Sequence, residues 1–361
     1  MSFSASEIAD ALRQQAAYCK GLGSPLNAGL LEVLAEEAVP GAEWLHDLET
    51  IEGGLMEGAI SIRVMGAFHR RVLDFPEIPL AGYYASVGGR FESDYDAARF
   101  EESVRSLLSE HAAFLPQFIR HPPQTNEVAR AAGLVAGLLE VARLFGRPFR
   151  LLEIGASGGL NQAFDQYGYR FETPSRAATW GSLESSVQLA PGWQGGTPVV
   201  SAPLEVSERG ACDIAPLDIR DEAVRRRLEA YIWGDQLERL NRLRGAMEIG
   251  RHLDVLPDSA GAAEWLAEKL PARSEAEPCV VFHSIMWQYM SANDQAEIAR
   301  MIESAGRKTQ TGNPLAWLRI EPPSPVELPE VRLRIWPGGE ERLVGHAHPH
   351  GLSYRWQGWG G

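Results

Sequence analysis

The sequence predicts an α/β fold, in which a mostly parallel sheet ends in a C-terminal antiparallel hairpin and is preceded by an all-α N-terminal domain. Two changes along the chain support this. Up to about residue 145, amphipathic segments recur between Pro- and Gly-rich breaks, as in consecutive helices. From Arg150 onward, short apolar runs alternate with amphipathic helices, which is the pattern of βαβ units around a parallel sheet.

The length and charge of the chain limit its possible classes. Its 361 residues exceed the usual size of one domain, roughly 100 to 200 residues, so we expect a helical domain over 1–122 and an α/β domain over 123–361. A net charge of -14 argues against a nucleic-acid partner, because phosphate binding needs clustered Lys and Arg. The chain lacks a signal-peptide pattern and a run of about 18 apolar residues, so we expect a cytoplasmic protein without a membrane partner.

Helical periodicity predicts the elements of the first domain. Ser4 or Ser6 is a suitable N-cap for a helix that carries Ile8, Leu12 and Ala16 on one face. The segments that follow with the same kind of pattern are NAGLLEVLAEEA, GAISIRVMGAFHRRVL, FEESVRSLLSEHAAFLPQFI and TNEVARAAGLVAGLLEVARLF. We expect this domain to act as a lid over the cleft of the second.

Apolar runs predict the strands of the second domain: FRLLEI, ERGACDI, HLDVL, CVVFHSI and LAWLRIE. Between the first two lies a stretch rich in Gly, Pro, Ser and Thr, which we interpret as a β-rich insertion at about 168–205. Residues 221–250 form an apolar stripe with helical spacing and a break at Gly234. Alternation on both sides of Pro337-Gly338-Gly339 predicts the closing hairpin.

The stretch RLLEIGASGGLNQAF contains the best candidate for a ligand site. Its glycines follow a predicted strand and precede a predicted helix, LNQAFDQY, which places the loop at the carboxyl edge of the sheet, where α/β folds bind ligands. Free N–H groups at the start of that helix would favour an acceptor such as a carboxylate or phosphate. Ser157 replaces the second glycine of a dinucleotide motif, and no Lys-Ser/Thr pair follows as in a P-loop.

The remaining pattern, an acidic residue followed by Gly155 and Gly159, resembles motif I of the class I methyltransferases, which have a Rossmann-like fold and bind S-adenosylmethionine. The resemblance implies that the loop faces the methionine part of this cofactor and that Glu153 holds its amino group. By the same resemblance, Asp213 contacts the ribose, with Glu172 and Asp165 as rivals, and Asp258 lies near the adenine. The implied cofactor-binding residues are Glu153, Gly155, Ala156, Ser157, Gly159, Asn161, Asp213, Asp258 and His283.

The motifs QTNEVARAAGL, LLEIGASGGLN, CDIAPLD, VVFHSIMWQYM, WLRIEP and HPHG together closely resemble an uncharacterised bacterial family, a domain of unknown function. The match covers nearly the whole chain, and it carries no established reaction. Class I methyltransferases often place catalytic residues after the fourth strand, where this chain has His283 and Tyr289; Glu321 and His350 are further candidates for the same cleft.

Three functions remain open. The first is an S-adenosylmethionine-dependent methyltransferase that acts on an oxygen or nitrogen nucleophile of a small molecule, and the second is an inactive Rossmann-like protein that binds a ligand or regulates a partner. The third is a metal-dependent hydrolase, because His346, His348 and His350 would share one face of a strand. We assign no metal ligands, since no acidic residue nearby completes the set. The sequence leaves the oligomeric state open.

Overall fold

The computed structural model describes residues 3–49, 51, 59–92, 96–110, 114–124, 126–174, 176–253, 256–271, 277–324 and 327–360. The chain divides into two compact units. The first comprises Met1–Thr125 and Asp221–Arg244, and the second comprises Asn126–Arg220 and Gly245–Gly361.

The helices and strands alternate along the second unit, whereas the described elements of the first unit are helical. The α-helices are α1 (Ala5–Gly21), α2 (Pro25–Glu37), α3 (Ile60–Asp74), α4 (Ala97–Glu110), α5 (Phe114–Ile119), α6 (Ala131–Phe145), α7 (Glu222–Ala230), α8 (Leu237–Leu253), α9 (Ala262–Lys269) and α10 (Ala292–Arg307). The strands are β1 (Phe149–Ile154), β2 (Gly168–Glu172), β3 (Ala177–Gly181), β4 (Gln188–Leu189), β5 (Gly192–Gly195), β6 (Val206–Asp213), β7 (Asp258–Ser259), β8 (Cys279–Ser284), β9 (Leu315–Glu321), β10 (Glu330–Trp336), β11 (Glu340–Ala347) and β12 (Ser353–Trp356).

The first unit is built on a helical core. Helix α1 begins with a capping box, in which Ser4 Oγ accepts from the Glu7 N–H and the Glu7 carboxylate accepts from the Ser4 N–H. The later segment of this unit contributes Tyr231 and Trp233 to the same core as α1 to α5. Ser24 is the N-cap residue of α2, but its side chain makes no capping hydrogen bond. Asp235 accepts from the Ser24 hydroxyl and from the Leu26 N–H, and so caps the start of α2 in its place.

The second unit is organised around one sheet, in the order β3-β2-β5-β12-β11-β10-β9-β8-β1-β6-β7, with β4 paired to β2. Strands β7, β6, β1, β8 and β9 run parallel to one another. Strands β9 to β12 then form an antiparallel meander, which includes the predicted hairpin around Pro337. The sheet is therefore mixed and mostly parallel, as the sequence predicted.

Helix α6 packs closely on this sheet through two glycines. A Cβ at Gly133 would meet the Tyr354 ring and Ile320, and a Cβ at Gly137 would meet Leu318. Glycine thus lets the helix backbone approach β9 and β12 more closely than any other residue would.

The structure corrects one predicted element and gives the helix type of another. HLDVL was expected to be a strand, but its His252 and Leu253 end α8, while residues 254 and 255 lie outside the described residues and the strand there is the short β7. LNQAFDQY was expected to be a helix, and Leu160–Gln166 is a short 3-10 helix. The expected β-rich insertion contains β2 to β5, and the expected break at Gly234 separates α7 from α8. No helix in the described part of the chain has both the length and the apolar character needed to cross a membrane.

Candidate functional site

Four strands of the parallel part of the sheet end side by side, and the candidate residues follow those ends. The register sets Ile154 of β1 beside Cys212 of β6, and His283 of β8 beside Arg319 of β9. The loop from Gly155 to Gly159 therefore meets Asp213, the loop after β8 and Glu321 at one edge, because parallel strands end on the same side of a sheet.

Glu153 is a buried carboxylate at the end of β1. Its side chain accepts from Asn161 Nδ2 at 3.3 Å and from Gln162 Nε2 at 3.0 Å. Burial raises the pKa of Glu153 to about 8, and the nearby Asp213 carboxylate acts in the same direction, whereas the two amides and Arg130 oppose this shift. At neutral pH this carboxyl group is thus poised to ionise when a cation approaches.

Several polar atoms around this loop are buried without a partner. Within the described residues, these atoms are Asn126 Nδ2, Ser157 Oγ, Asn161 Oδ1 and Gln162 Oε1. Asn126 belongs to the same cluster, because its Nδ2 lies 3.3 Å from the position that a Cβ on Gly158 would take. Buried polar groups are nearly always hydrogen-bonded in proteins, so donors and acceptors concentrated at one turn indicate a place built to bind a polar ligand.

The loop from Gly155 to Gly159 has strained backbone conformations, which hydrogen bonds within the protein stabilise. Gly155, Ser157 and Gly159 all have positive φ values, of 67°, 55° and 73°. Ser157 N donates to Asp213 Oδ2 at 2.8 Å, Ala156 N donates to the Cys212 carbonyl, and Gly159 N donates to the Ala156 carbonyl. The expectation of free N–H groups is therefore not met at these three positions, because the turn closes on β6 and continues as a 3-10 helix.

Met286 lies against Gly155. Its side-chain atoms are 2.7 to 2.8 Å from where a Cβ on Gly155 would be placed, so glycine is required here both for its backbone conformation and for space. Methionine is flexible and can adapt its shape when a neighbour changes. Met286 thus covers the loop in a way that a ligand could displace.

His283 is enclosed by its neighbours. Its Nε2 lies 3.1 Å from Trp317 Nε1, which can only donate, so Nε2 accepts and the ring proton resides on Nδ1. Nδ1 then donates to Glu321 Oε1 at 2.7 Å, and the ring stacks on Trp287. Both nitrogens of this fully buried ring are used within the protein, an arrangement that suits a positioning residue better than a general base.

Glu321 holds the loop after β8. Besides the His283 proton, its carboxylate accepts from the Met286 N–H at 3.2 Å and the Trp287 N–H at 3.3 Å. Arg130 binds the same loop from the other side, since its Nη1 donates to the Ser284 carbonyl at 2.7 Å. Burial lowers the pKa of Arg130, while Glu127 and Glu321 counteract that effect.

His350 is the more accessible imidazole of this edge. Its side chain is 30% exposed, and its Nδ1 lies 3.6 Å from Oε2 of the buried Glu127. The backbone N–H of His350 donates to His348 Nδ1, because both residues lie in the turn after β11. The three histidines are therefore not ligands aligned on one strand face, and no group of three His, Cys, Asp or Glu among the described residues is arranged to hold a metal.

The other predicted residues are spread more widely. Tyr289 is 79% exposed in the 3-10 helix Trp287–Tyr289. Asp258 begins β7 beside Cys212 and accepts from Trp265 Nε1 at 2.7 Å. Of the rivals to Asp213, Asp165 pairs with Arg209, and Glu172 lies on β2, many strands away from β6. The structure thus brings Asp213, and not Glu172, to the glycine loop.

Sequence reasoning left several members of this cluster without a role. Gln162, Met286 and Trp317 read as ordinary helix or core residues, and their contacts with Glu153, Gly155 and His283 arise only in the fold. Asn126, Glu127 and Arg130 had been noted as the start of a helix. The signal that could have identified them was the density of polar residues just before an otherwise apolar helix; Thr125, the first residue of the segment TNEVARAAGLVAGLLEVARLF, lies outside the described residues.

Comparison with known proteins identifies the family. Neither a curated protein nor a solved structure matches the chain. The model of one family matches residues 9–356, which is nearly the whole sequence and spans both units. The chain therefore belongs to a family described as uncharacterised proteins conserved in bacteria, DUF2332.

Proposed function

We propose that this protein is an S-adenosylmethionine-dependent methyltransferase that acts on a small molecule. The observation that carries the proposal is the buried Glu153 carboxyl beside a positive-φ glycine loop and four buried polar atoms that have no partner among the described residues. The order β7-β6-β1-β8-β9 supports it, because numbering these strands along the chain gives 3-2-1-4-5, the order of Rossmann-like doubly wound sheets. The resemblance of ExGxxxG to methyltransferase motif I points to the same ligand.

The residues at this edge fit the chemical groups of the cofactor. Glu153 would hold the ammonium of the methionine part, which favours the ionised carboxylate. Each oxygen of the Asp213 carboxylate accepts one hydrogen bond, Oδ2 from the Ser157 N–H and Oδ1 from the Ala215 N–H. Each oxygen has a further lone pair that can accept from a ribose hydroxyl. Asn161, Gln162 and Asn126 would satisfy polar atoms of the ligand. When bound, the cofactor supplies an electrophilic methyl group.

The chain's own residues would then orient the acceptor and remove its proton. His350, backed by Glu127, is the candidate base, because an imidazole whose Nδ1 faces a carboxylate can accept a proton at Nε2. His283 and Glu321 would keep the loop after β8 in position. Positioning of this kind supplies much of the rate of an in-line transfer.

The test is binding of S-adenosylmethionine and its demethylated product, measured by calorimetry and thermal shift. We expect micromolar binding by the unmodified protein. Gly155→Val should abolish it, because valine at φ 67° is strained and meets Met286, and Glu153→Gln should weaken it about tenfold or more by removing the charge that faces the ammonium.

Gly312→Val is the matched control, because a Cβ at Gly312 meets no atom of the described residues within 4 Å and this residue precedes β9 at the opposite edge of the sheet. It should bind as the unmodified protein does. The absence of both heat and thermal shift with either ligand would exclude the proposed function.

A second candidate, a Rossmann-like protein that binds a ligand without catalysis, is favoured by one set of contacts. Three loop N–H groups have partners within the protein, Met286 lies against Gly155, and His283 is closed off. Native mass spectrometry of the protein as purified distinguishes the two candidates. Retained S-adenosylmethionine or its demethylated product supports the methyltransferase, whereas a different retained metabolite supports the binding protein.

A further inference from the structure

A cavity lies over the antiparallel part of the sheet. It has a volume of about 470 Å³, which is within the usual range for a small-molecule site of roughly 300 to 1,000 Å³. Its walls come from the ends of β10, β11 and β12, from β5 and from the loop that joins β9 to β10. The glycine loop contributes no residue to it, so this cavity is separate from the candidate cofactor site.

Four polar residues of this cavity form one row across the sheet. Glu330 is in register with His346, His346 with Arg355, and Arg355 with Gln194. Residues directly opposite each other on neighbouring strands project from the same face of a sheet, so these side chains stand side by side. The row offers a carboxylate, an imidazole, a guanidinium and an amide over four adjacent strands.

The charges at the two sides of the cavity differ in sign, and neither has an ion-pair partner among the described residues. In the part of the chain that the structure describes, the Arg355 guanidinium forms no ion pair, although it faces a cavity in a protein of net charge -14. On the other side, Glu327 accepts a hydrogen bond from the Ser324 hydroxyl, and no cation of the described residues pairs with it. Glu330, by contrast, is already neutralised by Arg332.

His346 connects the two sides. Its Nδ1 is shielded from solvent and has no hydrogen-bond partner among the described residues, which is unusual for a buried polar atom. Leu328, Ala347 and Tyr354 supply the apolar part of the wall. Small-molecule sites typically combine apolar walls with a few polar groups that fix orientation.

We propose that this cavity binds a compact zwitterion, a molecule of the amino-acid class. Its carboxylate pairs with Arg355, which matches the bidentate geometry of a carboxylate, and Gln194 donates to the same group. Its ammonium pairs with Glu327, and His346 Nδ1 forms a hydrogen bond with the ligand between these ends. This site does not depend on the proposed cofactor.

The test is binding without S-adenosylmethionine, so that failure of the proposed function does not affect its outcome. Probes are the standard amino acids together with γ-aminobutyrate and ε-aminocaproate, and butyrate and n-butylamine carry one charge each. Ligand-observed NMR and calorimetry should show at least one zwitterion with a Kd below about 1 mM, bound about tenfold more tightly than either single-charge probe.

Arg355→Gln and Glu327→Gln should each weaken that zwitterion about tenfold, since each removes one charge partner. Both side chains are exposed, so these variants should fold, and their thermal unfolding verifies this. The matched controls are Arg176→Gln and Glu184→Gln, which remove the same charges at exposed positions outside the cavity and should change nothing. Absence of binding by every zwitterion, or unchanged binding by Arg355→Gln, would overturn the proposal.

Discussion

At the scale of single residues, the sequence indicates that Glu153 is important, and the fold determines its burial and its hydrogen bonds. Glu153 precedes a glycine turn, which a sequence shows, but its burial in β1 and its two amide partners from the 3-10 helix Leu160–Gln166 arise only in the fold. Likewise, His283 was chosen as an acid-base residue from its place after a strand. Its enclosure by Trp317 and Glu321 depends on β9, which lies more than thirty residues away in the chain.

Glu153 should make the stability of the protein depend on pH. Its pKa is about 8 when folded and near its ordinary value of 4.5 when unfolded. Between these values the folded state holds a proton that the unfolded state has lost, so the contribution of Glu153 to stability is complete below pH 4.5 and is lost as the pH rises through 8. The slope should be about 1.4 kcal/mol per pH unit at most.

Urea unfolding between pH 5 and 8 measures this effect, with Glu153→Gln as the comparison because glutamine cannot ionise. The free energy of unfolding of the unmodified protein should fall relative to that of the variant as the pH rises. His69, whose pKa burial lowers to about 4, titrates equally in both proteins and cancels from the difference. Parallel curves for the two proteins would show that Glu153 ionises normally.

The contacts of His283 predict one tautomer. Nitrogen-detected NMR should show the proton on Nδ1, since Nε2 accepts from Trp317. Trp317→Phe removes that donor but leaves the Glu321 carboxylate facing Nδ1, so the proton should stay on Nδ1 in this variant. His46 is exposed, and its ring has no hydrogen-bond or ion-pair partner among the described residues, so it serves as the internal reference for an unconstrained ring. A proton on Nε2 in the unmodified protein would contradict the hydrogen-bond assignment.

At the scale of elements, periodicity predicted most helices and strands, and it failed where a neighbouring element decides the conformation. Of the strand expected at HLDVL, His252 and Leu253 instead end α8, whose Gly250 packs against Ile219 and Leu160. The closing hairpin was predictable, because its turn chemistry and its alternation are both local. The order of the strands in the sheet was not predictable, because it depends on where each crossover connection leads. No local sequence pattern gives that information.

The packing of α6 on the sheet predicts an unusual effect of substitution. Gly137→Ala in a helix interior would ordinarily stabilise by about 0.5–1 kcal/mol. Here the new Cβ would lie 2.5 Å from Leu318 Cδ1, so we expect a loss of about 1–3 kcal/mol from overpacking. Urea unfolding measures the change. Gly21→Ala is the control, because that glycine of α1 has open space around it and should be neutral or stabilising.

At the scale of the whole molecule, chain order and spatial grouping differ. The sequence assigned residues 221–244 to the second domain, whereas in the structure they cluster with the first unit. The apolar stripe of these residues indicates that they pack against another element, but the stripe does not identify that element. Tyr231 lies against Gly66 and Phe118, and the Ala230 carbonyl contacts the His69 ring nitrogen. These contacts place the segment within the helical core.

The fragment 1–125 should therefore be unable to form a stable fold unless residues 221–244 are supplied. Without Tyr231 and Trp233 its core has a large gap, and without Asp235 the start of α2 loses its cap. A synthetic 221–244 peptide added in trans should raise the helical circular dichroism above the sum of the parts and produce a cooperative melt. The same peptide with Tyr231→Ala and Trp233→Ala should fail to do so. A cooperative melt of 1–125 alone would show that the helical unit is complete without the later segment.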